Sequence, residues 1–234
     1  MARIRIVLVE PQEAGNVGAA ARVMKNFGFT DMWIAGEHPN LEPLAGWWAS
    51  GADDVVAASH RVSSLYYAIR DAHVTVATTS ARGRAATITL TPESLGHLLA
   101  TLREDQTMAL VFGREDSGLT ADELAQCQRI VTIPTNPEFP TMNLAQAVGV
   151  LCYELSSIRQ PTLIRDRPPA AMIERLHERA QALLAEVGFL HENNPDRIYD
   201  DLRAIIARAD LDVRDATIAL GMIRQIEWKL RGSR

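Results

Sequence analysis

Five short apolar runs, at residues 4–9, 32–35, 74–78, 108–112 and 130–133, alternate with stretches of helical periodicity through the first 158 residues. The runs are apolar throughout rather than at every second position. They therefore read as strands covered on both faces, the habit of parallel sheets. Alternation of strand and helix in this way predicts an α/β fold with a mainly parallel sheet. Residues 60–63 are expected to add a further short strand. The helical patterns have legible starts: Asn16 stands where an N-cap belongs, Thr91 precedes a helix expected over 92–103, and further helices open near Thr120 and Asn143.

Past Gln160 the pattern changes. Pro161, Pro168 and Pro169 interrupt the chain, and only helical spacing follows, carried by Ile173, Leu176 and Leu183, then Ile198, Leu202 and Ile206, then Ala216, Leu220 and Ile223. The expected organisation is an α/β unit over 1–158, a linker over 159–169 and a small all-helical extension over 170–234.

Charge narrows the function only a little. The chain carries a net charge of −5, with all the imbalance before residue 161. Every cation except Lys25 and Lys229 is arginine, the better fork for phosphate, so binding of RNA is permitted without being predicted. Cys127 and Cys152 have no metal-ligand spacing and read as reduced core thiols. The six histidines form no HxxxH pattern, so no metal site is expected. The N-terminal apolar run ends at Glu10, too short for a signal peptide, and no stretch reaches transmembrane length; a cytoplasmic protein is expected.

Three polar segments follow apolar runs: NVGAAAR (16–22), LVFGREDSGL (110–119) and IPTNPEFPTMNLAQA (133–147). In an open parallel sheet, ligands bind at such edges. Gly15 and Gly18 are placed to let backbone approach a ligand, and Arg22, Lys25 and Asn26 share a polar helical face. The GxxG spacing lacks the third glycine of a dinucleotide fingerprint, which argues against a nicotinamide or flavin enzyme. The turn carrying Arg114, Glu115 and Asp116 reads as part of a site, with a charged surface turn holding an internal Arg–Glu pair as the alternative. Trp47 and Trp48 read as core or subunit-interface packing.

Together the segments resemble the SpoU branch of the SPOUT methyltransferases, in the order N-x-G-A-x-x-R, L-V-F-G-x-E-x-x-G-L and I-P-x(n)-N-L-A-x-A. The opening RIVLVEPQEAGNVGAAARVMKNFG, ASGADDV (49–55), TSAR (79–82) and the FGRE form of the second motif are similar to the TrmJ-type group within it. The resemblance implies a deep trefoil knot at the end of the α/β unit, a homodimer with a shared active site, and ribose 2′-O-methylation at the first nucleotide of the tRNA anticodon loop. S-adenosylmethionine would be the methyl donor and S-adenosylhomocysteine the product, with no metal and no membrane. Ribosomal RNA as substrate, or an RNA-binding knot protein without catalysis, are the alternatives.

The resemblance also assigns roles. Thr79, Ser80, Ala81, Gly113, Ile133, Thr141 and Met142 are expected to hold the cofactor, largely through backbone. Arg22 is the expected catalytic arginine, reaching the site of the partner subunit, with Asn16, Glu115, Asn143 and Thr141 completing the catalytic set. The family's usual Ser-Leu-Asn is here Thr141-Met142-Asn143; threonine keeps the hydroxyl and methionine nearly matches leucine in volume.

Overall fold

The structure, a computed structural model, describes residues 2–80, 89–157, 166–190 and 195–231. Seven strands form one sheet: β1 (Arg3–Val9), β2 (Asp31–Ala35), β3 (His60–Val62), β4 (Val74–Thr78), β5 (Thr89–Leu90), β6 (Thr107–Phe112) and β7 (Arg129–Val131). Their order is β3-β2-β1-β6-β4-β7-β5, and every pairing is parallel. β1 and β6 form the centre, with Ile6 between Met32 and Leu110, and both are buried almost throughout. The expected α/β class and parallel sheet are present.

The period of two along each strand separates two cores. Ile4, Ile6 and Leu8 face the larger, shared with α1 (Ala14–Asn26), α2 (Leu44–Ala49), α3 (Asp53–Ala57), α5 (Pro92–Leu99) and α7 (Leu144–Ser156). Val7 and Val9 face the smaller, under α4 (Leu65–Ile69) and α6 (Ala121–Ala125). The helices α2, α3 and α4 have only five or six residues, too few to declare a period in sequence. Cys127 and Cys152 are buried free thiols, each pushed up to about 12 by loss of solvent.

Several boundaries differ from expectation. α1 begins two residues before Asn16, and Glu13 holds the N-cap position. The helix after Thr91 stops at Leu99 rather than Arg103: the Thr101 hydroxyl donates to the Leu98 carbonyl at 2.7 Å and turns the chain toward β6. Ile133 lies beyond β7, where Pro134 can offer no N–H to a ladder. Gly18 serves packing, because a Cβ there would sit 2.0 Å from the Ala45 carbonyl oxygen; the close approach it permits is of α2 onto α1, not of a ligand. Trp47 and Trp48 are exposed in this chain rather than in its core, the Trp48 ring lying over Gly15.

Three helices follow: α8 (Ala170–Glu186), α9 (Pro195–Ala209) and α10 (Val213–Arg231). Leu176, Leu183 and Ile223 centre their own apolar cluster. They are fastened beneath the sheet, at the ends where the strands begin. Ala170 N–H donates to the Ala72 carbonyl at 2.7 Å and Ala171 N–H to that of Arg70 at 3.1 Å. Asp210, in the left-handed region with φ 51°, accepts from two buried arginines, Arg129 at the start of β7 and Arg167 ahead of α8. No helix among the described residues is long and apolar enough to cross a membrane.

The buried imidazole of His177 on α8 gives these helices a pH dependence. Burial, with Arg203 nearby, pushes His177 down from its ordinary 6.5 to about 4 despite Glu174. Its folded form binds a proton less readily than its unfolded form, so stability is complete above about pH 6.5 and falls as pH drops toward 4. Burial also lowers His73, whose Nδ1 accepts from Thr107 N–H, and adds in the same direction. Urea unfolding at pH 5 should show a loss of about 2 kcal/mol from His177 relative to pH 7. A His177→Leu variant should have the flatter profile; equal slopes would refute the assignment.

Candidate active site

The ends of β4, β6 and β7 open into a cavity of about 300 Å³. Four loops build its wall: Thr78–Ser80 after β4, the 113–119 turn after β6, the 133–142 loop after β7, and the entry to α7. Of the residues expected to hold a cofactor, Thr79, Ser80, Gly113, Ile133, Thr141 and Met142 all line this one space. Ala81 lies outside the described residues. Glu115 lines the cavity as well.

The turn after β6 is closed so tightly that only glycine fits. A Cβ on Gly113 would stand 2.2 Å from the Gly118 carbonyl carbon and 2.4 Å from Leu119 N. Backbone N–H groups of Arg114 and Gly118 donate to each other's carbonyls across it, at 3.2 and 2.9 Å. Arg114 then latches the turn from outside. Its guanidinium forms a two-bond fork with Glu123 at 3.0 Å per bond, and Nε donates to Glu10 Oε2 at 2.9 Å. The alternative for this turn, an internal Arg114–Glu115 pair, does not form, because Arg114 turns toward Glu10 and Glu123. Burial alone would raise the Glu123 carboxyl; the Arg114 fork and the Thr120 N–H hold it below its usual range.

With Arg114 so occupied, Glu115 turns the other way, to the start of α1. Its carboxylate accepts from Gln12 N–H at 2.9 Å, Glu13 N–H at 3.2 Å and Asn16 Nδ2 at 2.9 Å. This explains why Asn16 is not the N-cap: a carboxylate from a distant loop satisfies the helix entrance, where negative charge is favoured. Asn16 Oδ1 in turn accepts from Asn143 Nδ2 at 2.9 Å. Asn143 caps α7, its Oδ1 accepting from Ala145 N–H at 2.9 Å and Gln146 N–H at 3.3 Å. Glu115, Asn16 and Asn143 thus form a side-chain relay that joins all three polar segments.

Arg22 stands apart. It is exposed on α1, two turns beyond Asn16, and does not line the cavity. Lys25 does not share a free face with it, being held by Asp54 at 2.7 Å and the Gly51 carbonyl at 2.9 Å. The sequence reading missed the Glu10–Arg114–Glu123 latch. Its one legible trace was Thr120-x-x-Glu123, a capping box that the structure realises in both directions.

Residues 3–153 match the model of the SpoU rRNA Methylase family. The chain belongs to that family. Among relatives of this SpoU methylase, the tRNA (cytidine/uridine-2′-O-)-methyltransferase TrmJ of Klebsiella pneumoniae subsp. pneumoniae is 34% identical over 240 residues, 98% of each chain. TrmJ of Escherichia coli strain K12 is 34% identical over 241 residues, covering 99% of this chain and 98% of its own. The crystal structure of TrmJ from Z. mobilis ZM4 covers 97% of this chain and 100% of its own, with a TM-score of 0.83 at 29% identity. The SpoU methyltransferase AviRb from Streptomyces viridochromogenes, solved in complex with AdoMet, has a TM-score of 0.53 at 19% identity over 66% of this chain and 59% of its own, a likeness of fold alone.

Proposed function

We propose that this SpoU methylase transfers a methyl group from S-adenosylmethionine to a ribose 2′-hydroxyl of tRNA, at the pyrimidine that opens the anticodon loop. The observation that carries the reading is the cavity at the ends of β4, β6 and β7, bound to the start of α1 by the Glu115–Asn16–Asn143 relay. The near full-length similarity to TrmJ enzymes supplies the substrate class.

The residues present fit the cofactor. The cavity is within the size range of small-molecule sites. Phe112, Leu119, Ile133, Met142 and Leu144 provide apolar wall, and Thr78, Thr79, Ser80, Thr135 and Thr141 provide hydroxyls. The charge suits a cation: among the described residues Glu115 and Asp116 stand in the wall, while its one arginine, Arg114, is already neutralised by Glu10 and Glu123. S-adenosylmethionine, when bound, supplies an electrophilic methyl carbon on a sulfonium that is already a good leaving group. The protein's task is then mainly to align the 2′-oxygen, which is worth up to roughly 7–11 kcal/mol in ideal cases.

The chain's residues divide that task. Thr79, Ser80, Ala81, Gly113, Ile133, Thr141 and Met142 hold the donor. Asn16, Glu115 and Asn143 keep the three loops in register, so the cavity does not have to be assembled as each substrate arrives. Thr141 and Asn143 bound the side on which ribose enters. Arg22, from a second subunit, clamps the adjacent phosphate and stabilises charge growing on the 2′-oxygen. An arginine acts there as a fixed cation rather than as the base.

The same reading includes a trefoil knot in the 1–158 methylase unit, the 159–169 linker, a separate helical unit over 170–234, and a homodimer working in the cytoplasm. Exposed apolar side chains in the single chain, Leu44, Trp47 and Trp48 on α2 and, separately, Tyr153 on α7, support the dimer. The test is methylation of unmodified tRNA transcripts with S-adenosylmethionine, each 2′-O-methyl nucleotide being mapped by mass spectrometry. A mark at the first anticodon-loop nucleotide is expected. Unmarked tRNA together with methylated ribosomal RNA would overturn the substrate, and cofactor binding without any transfer would overturn the enzyme.

A further inference from the structure

We propose that Phe139 is a stacking platform for the nucleobase of the nucleotide being methylated, an inference that rests on the tRNA reading above. Its ring is 79% exposed, the most of any large apolar side chain among the described residues. A lone exposed apolar residue is ordinary, so exposure by itself carries nothing. What sets Phe139 apart is the turn that holds it out. The Asn136 carbonyl accepts from Phe139 N–H at 2.9 Å, and Asn136 Oδ1 accepts from Glu138 N–H at 2.9 Å. The Thr135 hydroxyl donates to the Pro140 carbonyl at 3.0 Å and closes the turn from behind. Pro134, Pro137 and Pro140 fix φ between these bonds. The backbone that carries the ring is therefore set in advance, and little order remains to be imposed when a ligand arrives.

The place of the turn selects the occupant. Pro140 and Thr141, the next two residues, line the cavity assigned to the methyl donor. Two residues span at most about 7 Å, so Phe139 stands at the rim of that cavity, beside the residue assigned to the ribose. A 2′-oxygen aligned with the methyl carbon brings its ribose to the same rim. The base bonded to that ribose then lies outside, because the donor occupies the space within. The charge of the loop points to a base rather than a phosphate. Residues 133–143 hold no lysine or arginine, and Glu138 is their one charged side chain. Unpaired bases in RNA loops are recognised by stacking on aromatic rings. Every base has a face to stack, so the ring holds the nucleotide without choosing between cytidine and uridine.

The experiment is steady-state methylation of a tRNA transcript by Phe139 variants of the full chain. Phe139→Ala should lose about 10–100-fold in kcat/KM for tRNA, mostly through KM, with affinity for S-adenosylmethionine unchanged. Phe139→Trp should keep the wild-type value. Phe139→Leu, which retains apolar bulk but has no π-face, should behave like Phe139→Ala. Pyrrolocytidine, a fluorescent base quenched by stacking, should be quenched at the methylated position by wild type and not by Phe139→Leu. Wild-type efficiency in Phe139→Leu would overturn the stack. So would weakened S-adenosylmethionine binding in Phe139→Ala, which would make the ring part of the donor site, or a changed sedimentation coefficient, which would make it a contact between subunits. A wild type inactive on tRNA would overturn the inference together with the reading beneath it, and is told apart from these by needing no variant.

Discussion

Arg22→Ala should lower the rate of methyl transfer by roughly 10²–10³-fold, the usual effect of removing one preorganised donor from a charged transition state. Affinity for S-adenosylmethionine should stay unchanged, because Arg22 does not line the cavity proposed for the donor. The split follows from the geometry: six residues of helix set Arg22 about 9 Å along α1 from Asn16. Single-turnover rates on tRNA, with cofactor affinity by calorimetry, would measure both quantities. Losing rate and affinity equally would sink the assignment. A second readout concerns the subunits. If Arg22 acts across a dimer, mixing Arg22→Ala with Asn143→Ala should restore activity, since a mixed dimer contains one site with both residues intact. No recovery on mixing would place Arg22 in its own subunit's chemistry.

The second large effect is expected at Asp210. Its carboxylate is shared by Arg129 and Arg167, both buried between the sheet and the C-terminal helices. Breaking a buried ion pair by removing one partner typically costs about 3–5 kcal/mol, because the remaining charge stays desolvated. Asp210→Ala should therefore lower the melting temperature by roughly 6–20 °C for a chain of this size. Alanine would also strain a backbone at φ 51°, which asparagine tolerates. Asp210→Asn separates the two causes: it keeps the turn and removes only the charge, so it should reproduce most of the loss. A melting point within a degree of wild type in Asp210→Asn would mean that the clasp is held by packing instead.

Much of this architecture is written in local chemistry. β1, β4 and β6 are legible because each is a compact apolar run, and the caps at Thr91, Thr120 and Asn143 because hydroxyl and amide side chains announce helix entrances. The cavity wall was legible too, since polar segments after buried strands have few other uses in a parallel sheet. What was illegible depended on distance along the chain. Asn16 looked like an N-cap because nothing near it in sequence reveals that Glu115 already satisfies the start of α1. Gly18 looked like a ligand contact because Ala45, which it admits, is on another helix. The partner of Arg114 was illegible because the fork it forms is nine residues onward at Glu123, not at its neighbour Glu115. Two-residue β5 and the five- and six-residue helices left no period to read.

The Glu115–Asn16–Asn143 relay also bears on how the protein comes into being. Its two links join residues 99 and 127 positions apart, so neither can form until long loops have closed. During synthesis, Asn16 leaves the ribosome first and then waits for Glu115, and both wait for Asn143. The loops proposed to grip the donor are consequently among the last parts to be fastened. Until the final asparagine docks, the three polar segments are not fastened to one another.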